Sequence, residues 1–139
     1  MDLAAAAATV NYLAVIAAAL VTFLIGGLWY SPLLFDKPWR RLNALSEEQI
    51  KSSHTGLIFG LSFLAALISA YVLALFLSGP TTDAVAGIMA GLLVGIGWVA
   101  TAMLTTFLFE RRPLALWGID ATYHVVTFGL MGLILGVWR

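Results

Sequence analysis

Apolar residues run in four long stretches along the chain, separated by short polar breaks. The first reaches from Leu3 to Tyr30, the second from Thr55 to Leu77, the third from Ala84 to Phe109 and the fourth from Leu114 to Trp138. The first three hold no charged side chain, and the fourth is interrupted by Asp120 and His124. A run of about 18 or more apolar residues can cross the hydrocarbon of a bilayer as a helix. The pattern predicts an all-α fold: an integral membrane four-helix bundle in one transmembrane domain, residues 1–139, with spans of about 3–30, 55–77, 84–109 and 114–138. The first stretch reads as a retained span rather than a cleaved leader, because Asp2 stands where a basic region would be and the stretch outruns a signal core.

The polar breaks agree with these spans. Pro32, Pro38, Pro80 and Pro113 all fall outside them, where no intramembrane hydrogen bond is lost. Ser78–Asp83 and Glu110–Pro113 read as tight turns, which predicts that the second, third and fourth helices are consecutive antiparallel neighbours. The one sizeable loop covers residues 31–54. In it, Pro38-Trp39-Arg40-Arg41-Leu42 reads as an interfacial turn of helix. Ser46-Glu47-Glu48-Gln49 reads as a capping box, with Leu45 and Ile50 as its staple and Glu47 and Lys51 as an i,i+4 pair. The second helix is therefore expected to start near Glu47 and to run unbroken to about Leu77.

Charge orients the spans. Lys37, Arg40, Arg41, Lys51, Arg111 and Arg112 fall on one side of a four-span chain and only Arg139 on the other. Basic loops stay in the cytoplasm. Both termini are thus expected to be non-cytoplasmic, with loop 31–54 a cytoplasmic interfacial loop in a multi-pass protein of the bacterial inner membrane. Trp29, Tyr30, Trp39 and Trp117 then form an aromatic belt at the cytoplasmic face, with Trp138 at the other.

Composition narrows the function. The 139 residues are 62% hydrophobic and 10% charged, with a mean hydropathy of +1.01. A soluble domain this small cannot bury that much apolar side chain, which excludes a soluble enzyme and a disordered chain. Seven basic residues against seven acidic give no surplus for nucleic acid. The absence of cysteine removes thiolate metal sites, disulfides and thiol chemistry. The remaining ligand types are too sparse or too badly spaced for haem, di-iron or zinc, so no metal and no cofactor is expected. The lipid bilayer is the first expected partner.

Small residues recur at helical spacing: Ala14, Ala18, Thr22 and Gly26 on the first span, Gly87, Gly91 and Gly95 on the third, and Gly132 with Gly136 on the fourth. Such stripes let helix backbones approach closely. The Gly87/Gly91/Gly95 stripe serves either packing inside the bundle or a homo-oligomer seam. Asn11 shares a face with Ala14 and Ala18 and is expected to hydrogen-bond across helices.

Polar residues inside the spans gather at one depth. Counted from the loop-31–54 side, Asp120 lies about 10 Å in and His124 one turn deeper on the same face. Ser62, Thr22, Thr101 and Thr105 fall at similar depth on the other helices. An acid in a span costs about 2.5–3.5 kcal/mol at mid-membrane, so Asp120 requires a partner. His124, at i+4, is the nearest, and Arg111 or Arg112 is the interfacial alternative. The candidate pocket set is Asp120, His124, Tyr123, Thr127, Thr101, Thr105, Ser62 and Trp98. The bland readings are a structural hydrogen-bonded pair for Asp120 and His124, bonds to their own helix carbonyls for the threonines, and core packing for Trp98.

Gly26-Gly27-Leu28-Trp29-Tyr30-Ser31-Pro32-Leu33-Leu34-Phe35, followed by Trp39 and Leu45-Ser46-Glu47-Glu48, resembles the bacterial membrane family called domain of unknown function 1761. Asn11-Tyr12 and the stretch from Leu116 to Trp138, with Tyr123-His124, continue the resemblance over nearly the whole chain. The resemblance implies four spans and no agreed activity. It also implies Tyr123-His124 as the more general site, with Asp120 at a position where an amide is more usual. Within the interfacial motif, Trp29-Tyr30-Ser31-Pro32 with Trp39 serves either as a membrane exit or as a lid over the pocket.

Three functions fit these residues. The first is binding or transport of a small lipophilic or amphiphilic ligand in a polar pocket of the cytoplasmic half. The second is a membrane enzyme acting on a lipophilic substrate through the His/Asp pair. The third is a non-catalytic accessory subunit whose polar groups only join helices. Whether the protein is an enzyme is left open by the sequence.

Overall fold

The computed structural model describes residues 2–139 and is all-helical over them. Asp2 caps a short helix, α1 (Leu3–Ala8), by accepting from the amides of Ala4 and Ala5. Asn11 then opens α2 (Tyr12–Trp29) by accepting from Leu13 and Ala14. The first apolar stretch is thus broken at Thr9–Asn11, and only α2 is span-length. Asn11 is not interhelical glue; its side-chain oxygen satisfies amides that the new helix leaves without carbonyl partners.

The loop after α2 holds two short helices, α3 (Asp36–Leu42) and α4 (Glu47–Lys51). The Asp36–Arg40 pair (2.7 Å) supports α3, and Ser46 with Gln49 forms a reciprocal capping box on α4. The continuous helix expected from Glu47 does not form. The chain leaves α4 at Ser52 and re-enters helix after His54 as α5 (Thr55–Phe76). Ser52 and Ser53 each bond back to a carbonyl three residues earlier, an alternative to helix propagation.

The third span begins as α6 (Ala84–Val94), passes through a π turn at Gly95–Ala100 and ends as α7 (Thr101–Phe109). The fourth span is α8 (Leu114–Val137), with Pro113 at its cap. Four helical stretches, counting Ala84–Phe109 as one, are long and apolar enough to cross a membrane.

α8 is the central helix, in contact with α2, α5 and the whole third span. α2 packs on α5 and on α8. The lateral order is therefore α5, α2, α8, third span. The second and third spans are not packed neighbours; they meet through Phe76 and Trp98, whose rings are 6.4 Å apart edge to face.

The two sides of this arrangement pack by different means. α6 and α8 touch backbone to backbone. A Cβ on Gly87 would overlap the carbonyl oxygen of Gly132, one on Gly91 that of Phe128, and one on Gly95 would lie 2.9 Å from the Cα of Val125. The Gly87/Gly91/Gly95 stripe is thus covered by the chain's own fourth span, and a seam between copies would have to use another face. α2 and α5 pack through alanines: Ala14, Ala18 and Ala19 against Ala66, Ala70 and Ala74, closed by Leu73, Leu77, Met131 and Leu135. All of these core positions lie in the half of the bundle nearer the termini. In the other half Phe107, Leu116 and Ala121 are buried as well, but a cleft stays open beside them.

Candidate ligand-binding cavity

The open half contains a cavity of about 650 Å³. α2 supplies Thr22, Phe23, Gly26 and Gly27, with Tyr30 just beyond its end. α5 supplies Ile58, Phe59 and Ser62, α7 supplies Met103, and α8 supplies Asp120, Tyr123 and His124. Trp39 on α3 lies across the loop-side end. α2 and α8 form one wall, α5 and α7 contribute the rest, and Ile58 and Phe59 on α5 are more than half exposed.

Helical periodicity explains which side chains converge. Thr22, Gly26 and Tyr30 recur every four residues along one face of α2 and its end. Ile58 and Ser62 do the same on α5, and Asp120 and His124 on α8, with Tyr123 beside them. Close approach favours glycine at 26, since a Cβ there would lie 3.2 Å from the Tyr123 hydroxyl oxygen and the ring would have to give by a few tenths of an ångström. Gly27, one position on, has nothing within 4 Å of the space a Cβ would take.

Hydrogen bonds fix the wall. The Tyr30 hydroxyl donates to Asp120 Oδ1 at 2.9 Å. Tyr123 donates to the Thr22 carbonyl at 3.2 Å, and the Trp29 indole donates to the Ile119 carbonyl at 3.1 Å. Each joins α2, or the residue just after it, to α8. The Trp117 indole reaches the Ala100 carbonyl at 2.9 Å, at the end of the π turn. A side chain that takes a helix carbonyl in this way accounts for a local departure from the α-helical ladder. Trp29 and Trp117 therefore spend their N–H groups on helix backbones rather than on headgroups.

The aromatic rings form a contiguous surface. Tyr30 stacks edge to face on Trp39 at 5.6 Å and lies 5.3 Å from Tyr123. Tyr123 in turn packs at 5.0 Å on the imidazole of His124. Among the described residues, the His124 side chain makes no hydrogen bond, and its ring borders the cavity. Asp120 is partnered by Tyr30 rather than by His124. Arg112 does not serve it either, because its guanidinium bonds Asn43 Oδ1 at 2.9 Å, lies over the Phe107 ring and faces Glu110 at 3.8 Å.

Of the pocket set drawn from the sequence, Asp120, His124, Tyr123 and Ser62 line the cavity together. Thr101, Thr105, Thr127 and Trp98 do not. Thr101 and Thr105 are exposed on the outer face and bond carbonyls one turn back, at Gly97 and Thr101. Thr127 is buried at 2% exposure and donates to the His124 carbonyl. Trp98 is 64% exposed against Phe76, and so serves neither as core nor as cavity lining. Similar depth placed these residues in the set, but depth does not specify the face of the helix. Tyr30 and Trp39, read either as part of a membrane exit or as a lid over the pocket, border the cavity. Phe23, Gly26, Gly27, Ile58, Phe59 and Met103 went unread as lining. The i, i+4 spacing of Gly26 with Thr22 and Tyr30 was the available signal.

Among the described residues, no cluster of three or more His, Cys, Asp or Glu could hold a metal. The fold and cavity define a small integral membrane protein with four membrane-capable helices around a loop-side cleft. The chain belongs to the family described as protein of unknown function, DUF1761, whose profile matches residues 13–136. Comparison with curated proteins and with solved structures gave no match.

Proposed function

We propose that this protein binds a small lipophilic or amphiphilic molecule in the loop-side cavity, admitting it from the bilayer between α5 and α7. The observation that carries this reading is Asp120. It is a carboxylate in an apolar span, held by a hydrogen bond from Tyr30 beside a cleft of about 650 Å³. A group that only joined helices would be closed over by packing, as the alanine and glycine contacts close the other half. The basic loops favour a cytoplasmic-facing cavity in the bacterial inner membrane. The free imidazole of His124 supports a second reading, acid–base chemistry on the bound molecule.

The test is saturable binding of a neutral lipophilic probe, triphenylphosphine oxide, to purified protein. Gly27→Phe is the cavity-filling variant, since nothing stands where its Cβ would go. Binding by the wild type and its loss in Gly27→Phe, at unchanged melting temperature, are expected. Equal binding by both would overturn the reading.

A further inference from the structure

We infer that the cavity selects an organic monocation, an amphiphile with an ammonium-like or phosphonium-like centre and an apolar body; this rests on the cavity being a binding site. The charge inventory is the first support. No Lys or Arg lines the cavity. The ion pairs among the described residues are Asp36–Arg40, Glu47–Lys51 and Glu110–Arg112, so Asp120 has no ion-pair partner among them. Tyr30 occupies one of its oxygens, and the second has no hydrogen-bond partner among the described residues. In a span, a carboxylate with one open oxygen and no countercharge is a site for a cation from outside the chain.

The rings are the second support, independent of the acid. Tyr30, Trp39 and Tyr123 adjoin one another beside that carboxylate, at centroid separations of 5.6 and 5.3 Å. Aromatic faces attract cations through their negative quadrupole, and the attraction grows when water is excluded. Such faces also accept a bulky alkylated cation that cannot donate hydrogen bonds. An anionic headgroup finds no fixed positive charge here. A phospholipid would bring a phosphate that the cavity has no cation to meet, so the fitting ligand carries its positive charge alone. Ile58, Phe59 and Met103, from α5 and α7, suit its apolar body.

The experiment compares two ions of nearly the same size and shape and opposite charge, tetraphenylphosphonium and tetraphenylborate, with neutral triphenylphosphine oxide as the third probe. Equilibrium binding is measured on the full chain in nanodiscs of uncharged lipid. Wild type is expected to bind the phosphonium at least about tenfold tighter than the borate. Asp120→Asn is expected to lose most of that preference while still binding the neutral probe. Trp39→Leu, which leaves the acid in place, is expected to weaken phosphonium more than neutral binding. Equal affinity for the two ions, or an Asp120→Asn protein that keeps the preference, overturns the inference. In those cases, sensitivity of the neutral probe to Gly27→Phe leaves the cavity reading standing. Failure of all three probes overturns the inference and the cavity reading together. Melting curves identify any variant that fails to fold, and Asp120→Glu then replaces Asp120→Asn, with phosphonium preference expected to be retained and its loss counting against the inference.

Discussion

At the scale of single residues, the Tyr30–Asp120 hydrogen bond joins two positions 90 apart in sequence. Hydrogen bonds to charged groups contribute about 1.5–3 kcal/mol each. Tyr30→Phe should lower the melting temperature of the purified protein, and Asp120→Asn should lower it less, because an amide still accepts from the tyrosine. Equal melting temperatures for Tyr30→Phe and wild type would show that the bond does not hold α2 to α8. Trp117→Phe should cost about 1 kcal/mol by removing the donor to Ala100. Sequence reading located Asp120 and His124 and the need of the acid for a partner. It selected the wrong partner because i+4 is the nearest position along a helix, whereas Tyr30 arrives from another span. Distance along the chain carries no information about which helix end folds back over which.

At the scale of helices, the glycine stripe was legible as a packing surface because recurrence every four residues puts Gly87, Gly91 and Gly95 on one face. The helix it would meet was not legible, since a smooth glycine face does not name its mate. Gly91→Ala should be severely destabilising, by about 3 kcal/mol or more, because its Cβ would overlap a carbonyl oxygen on α8 that cannot rotate away. Gly97→Ala, whose Cβ meets nothing within 4 Å, should be neutral or slightly stabilising through helix propensity. Thermal unfolding of the two variants side by side checks the contrast. The breaks after α1 and after α4 were hidden for another reason. Apolar continuity and a good capping box describe where helices can exist, and neither states where one must stop. Asn11 in the first case, and the Ser52-Ser53 turn in the second, decide the matter through local hydrogen bonds.

At the scale of the whole molecule, four span-length helices follow directly from hydropathy, while their lateral order does not. Short turns at 78–83 and 110–113 suggested that the second span lies against the third; instead, tight glycine packing draws the third span onto α8 and away from α5. Membrane sidedness is testable here because the chain has no cysteine. With Glu48→Cys and Gly79→Cys as single reporters, a membrane-impermeant maleimide should label position 79 in intact cells and position 48 only after lysis. The reverse pattern would invert the topology expected from the basic loops. The sparse packing between α5 and α7 has a consequence for the proposed binding. A cleft that opens sideways into hydrocarbon is never empty, because acyl chains reach it at the concentration of the bilayer itself. On the proposed binding, a ligand would have to displace lipid, and its apparent affinity would then depend on chain length and unsaturation of the surrounding lipid. The membrane would then act as a competitive inhibitor whose dose is set by the cell.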